Sequence, residues 1–297
     1  MGYSDDLAGS SGLPGGRLRA RLAEGQLIVA PGVFDGISAH LVGRMGFRAA
    51  YLTGAGTAAS GFGLPDIGLV TGSEMAERAA MMVEALGDDL PLIADADTGY
   101  GAPINVVRTV RAYEKAGVAA IQLEDQTFPK RCGHLPDKEV ISQAEFLAKL
   151  GAALDTRTDA LIVARTDTRA VLGLDAAIER ANAYAQAGAD IIFVEAPRSA
   201  AEVERIAKEV DAPLLINLVP DGLTPDSDPR HLQDLGYAIA IRPVDLFAAA
   251  AHAMIAALEN LGGASPGEVG RSPRALFELV GLTEWQALGD AFPVTPE

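Results

Sequence analysis

The chain has 297 residues, of which 49% are hydrophobic and 22% charged, and it carries a formal net charge of −16. That balance excludes a nucleic-acid partner, because a polyanion needs a basic footprint and no Lys/Arg-rich run is present. Its apolar stretches are interrupted by charge or glycine before the roughly 18 residues that span a bilayer, and a single cysteine, Cys132, excludes an internal disulfide.

The opening residues, MGYSDDLAGSSGLPGG, lack the charged-then-apolar order of a signal peptide and read as a flexible tail, so a cytoplasmic location is expected. From there short β-rich runs alternate with alanine-rich segments of helical period. LIVAPG at 27 leads to the helix GISAHLVGRMG, AAYLTG at 49 to SEMAERAAMMVEALG, and PLIADAD at 91 to INVVRTVRAYEKAG. AAIQLED at 119 precedes SQAEFLAKLGAALD, ALIVARTD at 160 precedes LDAAIERANAYAQAG, and DIIFVEAP at 190 precedes SAAEVERIAKEV. PLLINLV at 213 and AIAIRP at 238 complete eight strands. A long helix, LFAAAAHAMIAALENLGG, comes next, then a loop with Pro266 and Pro273 and a last helical stretch, ALFELVGLTEWQALGD. This tail is expected to pack outside the strands or on a neighbour.

Eight strands alternating with helices predict an α/β fold of the (β/α)8 TIM-barrel type, with the barrel and its leading tail over 1–262 and a C-terminal helical extension over 263–297. A doubly wound open sheet has a similar local pattern. The barrel is favoured because many runs end on a polar residue: Thr53, Asp95 with Asp97, Glu124, Arg165, Glu195 and Asn217. In a barrel those ends converge on one mouth.

Asp95 and Asp97, in ADADTGYG, are two apart, so an extended strand would aim both side chains inward. Converging carboxylates repel unless a proton or cation separates them, and hard oxygen donors suit Mg2+ or Mn2+. Helix capping or pairing with arginine is the plainer alternative; Asp66 and Glu124 add negative charge and tilt the reading to a metal. Cys132, in FPKRCGHLPDK, falls on a loop at the same mouth. A lone cysteine is more often a small buried hydrophobe, but Lys130, Arg131 and His134 flank this one and would stabilise a thiolate. Arg165 reads as a grip for a substrate carboxylate, or equally as an ion-pair partner of Glu195 or Glu124. Asn217 reads as a neutral donor for another carboxylate or for the barrel rim. His40, His231 and His252 read as structural, and no zinc spacing, dinucleotide fingerprint or phosphate loop is present. No lysine ends a strand, which disfavours Schiff-base chemistry.

YLTGAGTAAS, GLPDIGL, DADTGYG, LEDQ, PKRCGH, ARTD, VEA and a strand ending in Asn217 occur in the order found in the isocitrate lyase and phosphoenolpyruvate mutase superfamily, which the chain resembles over roughly 27–260. The resemblance is strongest to its short-chain branch: methylisocitrate lyase, 2,3-dimethylmalate lyase, carboxyphosphonoenolpyruvate mutase and oxaloacetate hydrolases. It implies Mg2+ held by Asp95 and Asp97, directly or through water, with Asp66 and Glu124 around them. It further implies that Tyr51, Thr53, Gly54 and Ala55 contact the 2-oxo-carboxylate end, that Arg165 binds a carboxylate with Glu195 and Asn217 beside it, and that Cys132 protonates the carbanion left after C–C cleavage. Gly133 is expected among the substrate-binding residues, and Lys130 and His134, on the same loop, among the catalytic ones. The implied activity is a Mg2+-dependent lyase acting on a small branched 2-hydroxy-dicarboxylate or tricarboxylate; a phosphonomutase, an oxaloacetate hydrolase and a non-catalytic barrel are the alternatives. The implied assembly is a homotetramer in which the last barrel helix is exchanged. Three positions depart from the pattern: TGAG where methylisocitrate lyases have SGGG, Gln122 where many lyases have His, and Pro220 where close relatives place a glutamate.

Overall fold

The computed structural model describes residues 12–225 and 228–292. Residues 1–11, most of the expected tail, lie outside that range. Eight parallel strands close into a barrel in chain order: β1 (Ile28–Val33), β2 (Ala50–Leu52), β3 (Leu92–Asp95), β4 (Ala120–Glu124), β5 (Leu161–Thr166), β6 (Ile191–Val194), β7 (Leu214–Asn217) and β8 (Tyr237–Arg242). The helices are α1 (Pro14–Ala23), α2 (Gly36–Arg44), α3 (Gly54–Thr57), α4 (Gly72–Leu86), α5 (Pro103–Lys115), α6 (Gln143–Thr156) and α7 (Thr168–Leu172). After them come α8 (Leu174–Gln186), α9 (Ala200–Glu209), α10 (Pro229–Asp234), α11 (Asp245–Asn260), α12 (Pro273–Glu278) and α13 (Leu282–Asp290).

The two-residue period of a strand divides the core. Ile28, Ala30, Tyr51, Ile93, Ala120, Leu161, Val163, Ile191, Phe193, Leu215, Ile239 and Ile241 fill the barrel interior, while their alternate neighbours Ala50, Leu92, Ala94, Ile121, Ile162, Ala164, Ile192 and Ile216 pack outward on the helices. Continuing the inward parity to the C-terminal ends reaches Thr53, Asp95, Gln122, Glu124, Arg165, Glu195 and Asn217. Strand pairing sets Asp95 beside Gln122 and Glu124 beside Arg165. Parity and register together therefore build the mouth.

Three features differ from the sequence expectation. The LPGG stretch is not tail: Pro14 starts α1, the Gly15 and Gly16 amides donate to the Asp159 carboxylate at 2.6 and 3.1 Å, and Leu18 buries itself in the interior cluster. A side chain at Gly15 would run into the Asp159 backbone, which is why so helix-poor a sequence serves there. The C-terminal tail is two helices split by Gly281 at φ 77°, and Phe277 and Leu282 pack on Cys132 and Leu135 of their own chain, over the mouth. Asp97 shares no strand with Asp95, because β3 stops at Asp95 and Asp97 turns left-handed at φ 46°.

Candidate active site

Four carboxylates meet at the mouth. Asp95 accepts from the Asp97 amide at 3.1 Å and from Gln122 Nε2 at 3.3 Å, and Gln122 in turn accepts from the Tyr51 hydroxyl at 3.2 Å. Lys130 sends its ammonium between Asp66 and Asp97, 2.7 Å from the latter. Burial first, then Asp95 and Asp66, push Asp97 up to about 7 against the pull of Lys130, and burial raises Glu124 well above the carboxylate range despite Arg165. Burial opposes the charge of Lys130, but Asp66, Asp97, Asp95 and Glu124 outweigh it and raise that amine well above the ordinary lysine value. Glu124 Oε1 is buried with no donor. An unfilled, buried carboxylate oxygen amid excess negative charge fits a hard divalent cation. Among the described residues no three of His, Cys, Asp or Glu come together closely enough to hold an ion. Asp66, Asp95, Asp97 and Glu124 are thus not one direct ligand cage; the fit is to an ion that keeps part of its water shell.

Cys132 sits on the loop between β4 and α6, and its environment reverses the thiolate expectation. Lys130 is committed to Asp66 and Asp97, and Arg131 points outward. Burial, with Asp66 adding, pushes the Cys132 thiol up to about 12, so it is a neutral acid at neutral pH. The loop is tied down at several points: the Cys132 amide donates to Asp66 O at 3.1 Å, Gln126 and Arg131 exchange two hydrogen bonds, and Lys138 donates to the Gly133 carbonyl. His134 Nδ1 accepts from the Leu223 amide at 3.0 Å, which leaves the proton on Nε2, 3.3 Å from Glu195 Oε1. Burial lowers its pKa.

Arg165 is gripped as well as poised. Asp167 takes Nε at 2.8 Å and Nη2 at 3.1 Å, Glu124 lies 3.1 Å from Nη1, and Glu195 4.0 Å from Nη2. The ion-pair reading of this arginine holds, with Asp167 as a partner besides Glu124 and Glu195. Asn217 Nδ2 donates toward Glu195 at 3.3 Å. Thr53 accepts from the Gly56 amide at 3.1 Å and caps α3, so that Gly54 comes to lie against Asp95. A cavity of about 40 Å3 is lined by Tyr51, Thr53, Ala55, Asp66, Asp95, Cys132, Gly133, His134, Arg165, Glu195 and Asn217, with Phe193, Val219, Ile241, Pro243, Val244 and Pro273 as its apolar wall. Of the residues expected from sequence, Gly54, Asp97, Glu124 and Lys130 stand one layer outside that lining.

Sequence reasoning missed Asp167, Lys138 and Asp125. Asp125 is wholly buried and takes the Thr166 hydroxyl at 2.7 Å, the Tyr184 hydroxyl at 2.9 Å, the Asp167 amide at 2.9 Å and Arg180 at 3.1 Å. The signal was present in LEDQ and ARTD, each of which carries an aspartate next to the residue that ends its strand.

The profile of the phosphoenolpyruvate phosphomutase family matches residues 18–261. A 2,3-dimethylmalate lyase of Eubacterium barkeri is 48% identical over 241 residues, covering 80% of this chain and 83% of that one. A 2-methylisocitrate lyase of Aeropyrum pernix is 46% identical over 248 residues, covering 84% and 80%. Among solved structures, an oxaloacetate acetylhydrolase bound to the inhibitor 3,3-difluorooxalacetate superposes with a TM-score of 0.81 at 37% identity, covering 94% of this chain and 96% of that one.

Proposed function

Because this chain belongs to the phosphoenolpyruvate mutase and isocitrate lyase superfamily, we propose that it is a Mg2+-dependent carbon–carbon lyase. Its substrate is a small branched 2-hydroxy-dicarboxylate or tricarboxylate of the 2,3-dimethylmalate or 2-methylisocitrate type, and its products are a 2-oxo acid and a simple carboxylate. The observation that carries this reading is that Arg165, Asp95 and Cys132 line one cavity: a cation for a carboxylate, an anion for a metal, and a neutral acid.

Mg2+ or Mn2+, held by Asp95 and Asp97 with Asp66 and Glu124 around them, would supply positive charge beside the developing 2-oxo group. Arg165 and Asn217 bind a substrate carboxylate, and Glu195 orients both along with His134. Tyr51, Thr53, Gly54 and Ala55 hold the 2-oxo-carboxylate end. Cleavage breaks the O–H and C2–C3 bonds and forms the C2=O bond; a carboxylate of the Asp95–Asp97 pair takes the hydroxyl proton, the electron pair left on C3 takes a proton from the Cys132 thiol, and carboxylic acid and thiolate return to their starting states by proton exchange with solvent as the products leave. Lys130 keeps Asp66 and Asp97 from repelling each other, and the missing Cβ of Gly133 lets the loop close on Arg165 and Glu195. Apolar Val219, Pro243 and Val244 on the cavity wall favour an alkyl branch over a third carboxylate.

Among the described residues no helix is long and apolar enough to cross a membrane, and the unpaired cysteine supports the cytoplasm as the working location. A homotetramer with the last barrel helix exchanged is supported by the apolar groove between α2 and α11, where Ile37, Leu41 and Met254 are exposed. A clean monomer on sizing would count against it.

The test is product release from 2,3-dimethylmalate, 2-methylisocitrate, isocitrate and oxaloacetate, with Mg2+ and with EDTA, for wild type and Cys132→Ser. Metal-dependent formation of a 2-oxo acid that Cys132→Ser loses is the expected result. Turnover of oxaloacetate alone would replace it with the hydrolase reading, which the similarity to the acetylhydrolase structure favours as the second choice.

A further inference from the structure

The Cys132 loop forms one wall of the cavity, through Cys132, Gly133 and His134, so the position of the loop sets how much room there is in front of Arg165. Most ties between the loop and the barrel end on residues already given a role: Lys130 on Asp66 and Asp97, His134 on Glu195, the Cys132 amide on Asp66. Lys138 is different. Its ammonium is buried, donates to the Gly133 carbonyl within the loop, and donates to Asp167 Oδ1 at 2.8 Å. That same Asp167 oxygen accepts from Arg165 Nη2 at 3.1 Å, and its partner oxygen takes Arg165 Nε. Asp167 is itself fixed from behind, its amide bonded to Asp125 at 2.9 Å.

One ammonium therefore joins the segment that carries the proton donor to the carboxylate that aims the substrate-binding guanidinium. We propose that Lys138 is a positioning residue that latches the Cys132 loop shut and, through Asp167, sets Arg165, so that the acid and the carboxylate grip are assembled in one step. Lys138 shares the charge of Asp167 with Arg165 when the loop is closed. With the loop displaced, Asp167 is left to Arg165 alone and draws the guanidinium toward itself, away from the cavity. The inference rests on the lyase reading for its kinetic part and on contacts alone for the latch.

Cys132 is the chain's only cysteine, so its alkylation by iodoacetamide reports loop opening without substrate. Lys138→Met should raise that rate by about tenfold or more, since it removes one partner of a buried pair, and Lys138→Arg should bring it back toward wild type. With an active substrate, Lys138→Met should lower kcat and raise KM together, and Lys138→Arg should recover part of both. A lysine that only stabilised the fold would lower the melting temperature without speeding alkylation in the folded protein. Alkylation at the wild-type rate in folded Lys138→Met overturns the latch whatever turnover does. Should the Met variant fail to fold, Lys138→Gln, which keeps a donor but no charge, is read in the same way. Absence of turnover by wild type would sink the lyase reading while the alkylation arm still decides on Lys138.

Discussion

Gly133→Ala tests loop closure without removing any charged group of the site. Gly133 lies outside the left-handed region, so alanine meets no backbone penalty there, and it should stabilise by about 0.4–1 kcal/mol through the unfolded chain. In the closed loop, however, the new Cβ would stand 2.5 Å from Arg165 Nη2 and 2.6 Å from Glu195 Cδ, with Glu195 Oε1 nearer still. Ordinary van der Waals contact starts near 3.4 Å, so either the loop or the heads of Arg165 and Glu195 must give way by about 1 Å, a displacement of catalytic or binding groups that can cost on the order of a hundredfold in rate. The variant should then melt at or near the wild-type temperature while kcat falls about a hundredfold. Steady-state kinetics beside thermal denaturation give both numbers. A kcat within about twofold of wild type would refute the closed-loop geometry as the reactive one.

Three more outcomes follow from the same geometry. Alkylation of wild-type Cys132 by iodoacetamide should be slow at neutral pH and still climbing at pH 10, because burial holds the thiol near 12; a plateau around pH 8 would mean a free thiolate. Burial depresses the His134 pKa below 6.5, so its contribution to stability is full above that value and is lost as pH falls through the folded pKa. The stability gap between wild type and His134→Gln should therefore narrow on acidification from neutral pH, and a widening gap would show the ring to be charged in the fold. Leu18→Ala, at the barrel bottom, should cost about 2–5 kcal/mol in denaturant unfolding and leave kcat unchanged; an unaltered midpoint would show that α1 does not plug the barrel.

The fold was legible because a parallel strand buried on both faces writes itself as a continuous apolar run, and all eight such runs became barrel strands. The strand-end rule reached Thr53, Asp95, Glu124, Arg165, Glu195 and Asn217 because parity carries inward from the core to the strand end and, at Thr53 and Glu195, one residue beyond it. It failed two residues past the end of β3. Asp97 lies past the end of β3 in a left-handed turn, so its approach to Lys130 follows from loop conformation, which has no period to read. The sequence sets Lys130 two residues from the thiol, whereas in space two buried carboxylates, Asp66 and Asp97, take its charge. Lys138 and Asp167 were invisible for a related reason: they are 29 residues apart, and only the closed loop joins them. The C-terminal helices reach Cys132 through Phe277 and Leu282, a contact whose only trace in the sequence is amphipathic spacing.

The lyase reaction is tested most directly by following 2,3-dimethylmalate with Mg2+ in D2O by NMR. Equal amounts of pyruvate and propionate are expected, with one deuterium on the α-carbon of propionate, since the carbanion takes a proton from a thiol that exchanges with solvent. EDTA and Cys132→Ser should each stop it. Failure of wild type to cleave this or any other 2-hydroxy acid, with oxalate and acetate arising from oxaloacetate instead, would contradict the lyase reading.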